Sequence, residues 1–128
     1  MNELDWHWLT LSQACQRLKS GQGSALELTR DMLKRAKALA NQTHCYVHLL
    51  EDDALAAAQQ LDDRQAAGEP LGLLHGIPIG IKDLLYTRGL PTASGTMVMK
   101  DFCPTFDATV VTRLRDAGAV LIGKTQLT

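Results

Sequence analysis

No stretch of the sequence approaches the roughly 20 consecutive apolar residues that cross a bilayer, so nothing in it calls for a membrane. Aromatic residues make up only 5% of the chain, too few for the stacking platforms that hold unpaired bases. Lys and Arg number 13 against 14 Asp and Glu. That balance lacks the basic excess with which nucleic-acid binders meet phosphates, so no direct nucleic-acid partner is expected. Cysteine is limited to Cys15, Cys45 and Cys103, odd in number, far apart and without a C-x-x-C pair. Neither a disulfide framework nor a structural zinc site fits that pattern, and reduced thiols in a cytoplasmic protein are the expectation. The opening "MNELDWHWLT" carries two acids and no basic region, unlike a secretory signal. The N-x-T sequon at Asn41 is therefore expected to stay unmodified. The four histidines do not form a ligand set. His44 and His48 are four apart, a metal-sharing spacing on a helix, but the segment between them reads as strand. No metal and no cofactor is expected.

What is present is a chain of 128 residues, 45% hydrophobic and 21% charged, enough for one compact domain with a core. "TLSQACQRLKSG" predicts a short helix, with a Thr10–Gln13 capping box, an apolar stripe of Leu11, Ala14, Cys15 and Leu18, and Gly21 as its stop. "SALELTRDMLKRAKALAN" predicts a second, with a Ser24–Glu27 capping box and Leu28, Met32, Ala36 and Leu39 facing one way. The pair resembles an αα-hairpin joined through Gly21–Gly23. "CYVHLL" at 45–50 reads as a strand. The alanine-rich "EDDALAAAQQLDDRQAAG" reads as a third helix ending at Gly68, its acids placed to suit the dipole. Residues 86–106 hold Gly89, Pro91, Gly95 and Pro104 with little periodicity and predict a long irregular loop. "DATVVTRLRDAG" predicts a helix capped by Asp107, with Val110, Val111, Leu114 and Ala117 on one side. "AVLIG" then reads as a strand buried on both faces. The fold class is α/β. One domain is expected, with residues 1–69 as helical hairpin, strand and helix, and 70–128 as strand, loop, helix and buried strand.

Two lysine-bearing motifs compete for attention. "GAVLIGKT", Gly118–Thr125, spells the P-loop pattern G-x-x-x-x-G-K-T. A P-loop runs from strand through glycine-rich loop into helix, and curls its amides round a phosphate. Here a helix precedes Gly118, and Ala119–Ile122 favour an extended strand. Gly118 reads as the residue past a helix end, and Lys124 as a strand-end charge. Nucleotide binding would show as saturable ATP or GTP binding lost in Lys124→Ala, and none is expected.

The second motif is "HGIPIGIKDLL". A strand here puts Ile77, Ile79 and Ile81 on one face and Pro78, Gly80 and Lys82 on the other. Gly80 offers no side chain, so a ligand or another backbone can approach there. Lys82 stands near the carboxyl end of the strand, where α/β sheets gather ligands, between Ile81 and Leu84. Apolar surroundings lower a lysine's pKa and turn it into a proton acceptor near neutral pH. The plain alternative is a solvated lysine paired with an acid such as Asp83.

The second half as a whole, "PLGLLHGIPIGIKDLLYTRGLPTASGT" followed by "DATVVTRLRDAGAVLIGKT", is similar to the amino-terminal portion of the amidase signature family. The match runs from about Pro70 to Thr125; the first 69 residues resemble the family only in architecture. The resemblance implies a mixed sheet covered by helices, incomplete in this chain. It implies an amide-bond hydrolase with a Ser–cis-Ser–Lys triad, in which Lys82 takes a proton through a bridging serine from the nucleophilic serine. It implies a small-molecule amide substrate. The segment that carries the family's two serines has no counterpart here; Ser12, Ser20, Ser24 and Ser94 sit in none of its context. The chain is accordingly expected to be a fragment, inactive alone. Gly80, Ser94, Gly95 and Thr96 are weaker candidates for substrate contact. The alternatives are a non-catalytic truncated paralogue acting as a binding module, and part of the A subunit of a glutamyl-tRNA amidotransferase. A homodimer through the amino-terminal helices is also open.

Overall fold

The computed structural model describes residues 5–127. Element order is a short 3-10 turn at Trp6–Trp8, then α1 (Leu11–Lys19), α2 (Ala25–Thr43), β1 (Tyr46–Leu49), α3 (Glu51–Ala66), β2 (Pro78–Lys82), α4 (Thr109–Asp116) and β3 (Val120–Thr125). Both capping boxes form. The Thr10 and Ser24 hydroxyls accept from the Gln13 and Glu27 amides, whose side chains reach back to the cap amides. Each box satisfies two amide groups that a helix start would otherwise leave unpaired.

The sheet has three strands in the order β1–β3–β2. β3 is central, antiparallel to β1 and parallel to β2, so the open edges belong to β1 and β2. Ile79 faces Leu121 and Gly80 faces Gly123, which makes Ile122 an extra residue on β3. Past this bulge Ile81 pairs with Lys124 and Lys82 with Thr125. β3 is buried from Val120 through Lys124, as its unbroken apolar run requires.

Two clusters cover the sheet. Ala25 and Leu33 of α2, with Ala54 and Ala58 of α3, pack on Val120 and Ile122. Ile81, Val111 and Leu121 form a second layer beneath α4. Small alanines let α2 and α3 lie close to the strand, and the two halves of the sequence thus share a core. Leu18 of α1 and Leu28 of α2 meet in a third cluster with Trp6 and Ile77. Leu11 and Leu39, expected on buried stripes, remain largely exposed.

The helix ends follow the sequence more closely than one of the starts. Gly118 has φ of +92°, its amide bonds Arg115 O, and the Ala119 amide bonds Leu114 O. That is the paired-bond helix stop that a left-handed glycine permits. Asp107, by contrast, does not cap α4. The cap position is Ala108, with no side-chain bond. The Asp107 carboxylate instead accepts from the Arg88 amide at 2.7 Å and pairs with Arg115 at 3.2 Å. It ties the long loop to the helix rather than starting the helix.

His75 is buried at the turn before β2. Its Nε2 lies 3.1 Å from Gln65 Oε1, and the Gln65 amide nitrogen donates to Leu18 O. That second bond orients the amide so that its oxygen faces the ring. Burial holds the His75 pKa below the ordinary value; Asp62 opposes this, while Arg64 and Lys19 reinforce it. A folded-state pKa below the unfolded one means that the unfolded chain binds the extra proton. Stability is therefore expected to fall as pH drops below about 6.5. Urea midpoints measured across that range should lose part of this slope in His75→Gln; an unchanged slope would remove His75 as the cause.

Candidate functional site around two lysines

β2 runs out at Lys82 with its two faces sharply different. Ile81 is buried against Val111 and Leu121. On the opposite face Gly80 is exposed, and a side chain there would meet the Thr125 methyl at 2.9 Å and the Tyr46 hydroxyl at 3.4 Å. Lys82 shares that face and is exposed. The arrangement of the isoleucine and lysine faces agrees with the sequence pattern. The apolar enclosure expected for Lys82 is not provided by the described residues, which leave its side chain exposed beyond Gly80.

Tyr46, which belongs to no motif in the sequence, crosses the same face. Its ring lies where a side chain on Gly123 would stand. Burial raises the Tyr46 phenol above its ordinary pKa, and Cys45 adds to the shift. The signal in the sequence is slight: glycines at 80 and 123 leave a flat surface that an aromatic ring can occupy, but only the strand pairing brings all three together.

The buried lysine is Lys124, not Lys82. Its side chain is fully enclosed, and its Nζ donates to Leu85 O at 3.0 Å, Thr87 Oγ1 at 2.9 Å and Thr92 Oγ1 at 3.1 Å. Those three acceptors use all the ammonium's protons. Asp83 Oδ1 stands 3.5 Å away, itself buried. Burial pushes the Lys124 pKa down; the Asp83 carboxylate, and more weakly Asp107, pull it back up. The expectation of a strand-end charge is thus corrected. Thr125, one residue later, is where β3 reaches open space. Asp83, offered in the sequence as a partner for Lys82, faces Lys124 instead, since side chains alternate along the strand.

The same geometry disposes of the phosphate-loop reading. Gly118 ends a helix, and Val120–Thr125 is the middle strand of the sheet. Its amides serve the ladders on both sides, and its lysine serves a loop.

That loop, 83–108, contains no helix or strand. It closes on itself at Asp83, where the Ser94 amide bonds the backbone oxygen at 3.0 Å and the Ala93 amide bonds Oδ2 at 3.2 Å. Ser94 adopts φ of +51° and Gly95 φ of +73°. The loop thereby returns Ser94 to the residue that follows Lys82. Gly95 and Thr96 lie exposed just beyond, and Thr96 Oγ1 is engaged locally, donating to Ala93 O and accepting from the Met99 amide. Ser94 is thus brought next to the end of β2 that carries Lys82, while Thr96 is committed to its own turn. Among the described residues no group of three or more His, Cys, Asp or Glu is placed to hold a metal. No helix among them is long and apolar enough to cross a membrane.

A family model described as amidase matches residues 27–128. The chain belongs to the amidase signature family. It is 45% identical over 107 residues to the A subunit of the glutamyl-tRNA(Gln) amidotransferase of Salinispora tropica, a match over 84% of this chain and 22% of that protein. It is 46% identical over 124 residues to the same-named protein of Chloroflexus aggregans, covering 97% of this chain and 25% of the relative. The fold superposes on the native peptide amidase of Stenotrophomonas maltophilia with a TM-score of 0.90 at 33% identity, covering 98% of this chain and 26% of that one. The chain therefore spans about a quarter of the length of these relatives. The match begins at residue 27, well before Pro70. The helices and β1 that resembled the family only in architecture are thus mostly within its pattern.

Proposed function

We propose that this chain supplies the lysine-bearing part of an amide-hydrolysing site, with Lys82 as the proton acceptor. The observation that carries the reading is Lys82 itself. In a chain of the amidase family it ends β2 on the face that Gly80 leaves bare, exposed and open to a partner group. In the proposed reaction a serine Oγ attacks the amide carbonyl carbon, and its proton passes by way of a bridging serine to the Lys82 amine. The C–N bond breaks as the same relay returns a proton to the leaving nitrogen. Water then resolves the acyl-enzyme to a carboxylic acid.

The serines of this chain do not supply the nucleophile. Ser24 Oγ caps α2, and Ser20 Oγ donates to Arg17 O. Ser94 is held by its backbone in the loop rather than presented by a base. Both reacting serines would come from chain beyond these residues, and the 128-residue polypeptide alone is expected to show no turnover. The substrate is a small carboxamide, and the protein acts in the cytoplasm without a cofactor.

The test is ammonia release from a panel of simple carboxamides, including glutamine, by a polypeptide that carries this chain within a family-length protein. Release from at least one of them is expected; none from any would overturn the hydrolase reading. Similarity to two amidotransferase subunits supports a second reading, in which glutamine is the amide donor and ammonia passes to a transfer-RNA-linked glutamate. Release confined to glutamine and dependent on added partner proteins would select it.

A further inference from the structure

We infer that Lys124 is a positioning residue for Lys82, acting through the loop that follows it; the inference rests on Lys82 being the acting lysine. A buried ammonium has a large desolvation cost unless every proton finds an acceptor. Lys124 finds all three, and all three belong to the loop between residues 85 and 92. The proton directions agree. Thr87 Oγ1 donates to Leu85 O and Thr92 Oγ1 donates to Leu90 O, which leaves both hydroxyl lone pairs turned toward Nζ. Neither threonine can exchange its role without losing a bond.

The loop so gathered is fastened to Lys82 on both sides. The Leu85 amide bonds Lys82 O, and the Asp83 amide bonds Thr125 O at 2.9 Å, directly opposite Lys82 in the register. Asp83, drawn by Lys124's charge, also receives the Ala93 amide. Lys124 therefore stands at the hub of a ring whose first member follows Lys82 and whose far side carries Ser94. The ammonium on the inner face of the sheet end fixes the backbone from which the Lys82 amine projects on the other face.

Two variants test this: Lys124→Met, which keeps the stem and removes the charge, and Thr87→Val combined with Thr92→Val, which keeps Lys124 and removes two acceptors. The first measurement is by NMR on the full chain. The amides of Ala93 and Ser94 are expected to exchange at least about tenfold faster, the side-chain resonances of Lys82 to be displaced, and the core amides of Leu33 and Ala58 to hold. The second is steady-state amide hydrolysis in the family-length protein, where kcat is expected to fall about tenfold to a hundredfold with KM little changed, as for a misplaced reacting group. Loop and core amides loosening together, with Lys82 resonances unmoved, would reduce Lys124 to a structural lysine and overturn the inference. If Lys124→Met does not fold, the threonine pair decides by the same readings. Displaced Lys82 resonances in a protein that hydrolyses no carboxamide would keep the positioning and remove the hydrolase reading.

Discussion

Lys82→Ala is expected to lower kcat for carboxamide hydrolysis by about 10²–10⁴-fold, the ordinary contribution of a positioned proton acceptor. KM should change little, because the lysine is assigned to proton transfer and not to substrate binding. Lys82→Arg should not restore the rate, since a guanidinium keeps its proton throughout the accessible pH range. The structure makes this a clean substitution. Lys82 is exposed, no carboxylate among the described residues forms an ion pair with it, and its neighbours Ile81 and Asp83, both buried, hold that end of β2 in place without its side chain. Steady-state ammonia release checks the prediction, and an Arg variant with near-native kcat would end the proton-acceptor assignment. The control is Lys100→Ala, exposed on the long loop and expected to leave kcat alone.

Gly123→Ala is expected to destabilise the fold by about 3 kcal/mol, at the upper end of the usual cost of overpacking. The added carbon would stand 2.6 Å from the Tyr46 ring and 2.7 Å from the backbone oxygen of His48. The ring could turn, but His48 O belongs to the strand paired with β3 and cannot move without breaking the ladder. Gly21→Ala provides the comparison. Gly21 has φ of +75° with nothing within 4 Å, so only backbone strain of about 1 kcal/mol applies there. Urea unfolding followed by the emission of buried Trp6 separates the two. Equal midpoints for the variants would mean that β1 yields and that the close approach at Gly123 costs no more than the backbone strain at Gly21.

Gly123 and its neighbour Lys124 mark how far the sequence could be read. Both belong to the pattern that spells a phosphate loop, and excluding that loop needed only local reasoning. A helix before Gly118 and four strand-forming residues after it are visible in the sequence, and the structure has both. The capping boxes at Thr10 and Ser24 and the glycine stop at 118 were legible for the same reason, since each involves residues no more than a few positions apart. The irregular loop was legible from its prolines and glycines. The sequence resemblance to the amidase family likewise rested on motifs that stand in order along the chain.

Burial was legible only where a periodic face coincided with a covering element. Leu11 and Leu39 lie on good helical stripes and stay exposed, because no described element packs over that part of either helix. Asp107 has the right residue type for a cap, yet Arg88 and Arg115 claim it from either side. What local pattern could not assign was the division of labour between the lysines. In sequence Lys82 sits among apolar neighbours and Lys124 follows a glycine near a strand end, so Lys82 looks like the desolvated one.

Strand alternation and the bulge at Ile122 reverse this. They place Lys124 level with Ile81, on the inner face, where Thr87 and Thr92 arrive from a loop more than thirty residues earlier. They turn Lys82 toward the open face beside Gly80 and Thr125. Local pattern was enough for the elements, most of their ends and the family. Which lysine is enclosed came from the tertiary fold, because enclosure depends on acceptors brought from distant positions, and no spacing along the chain records them.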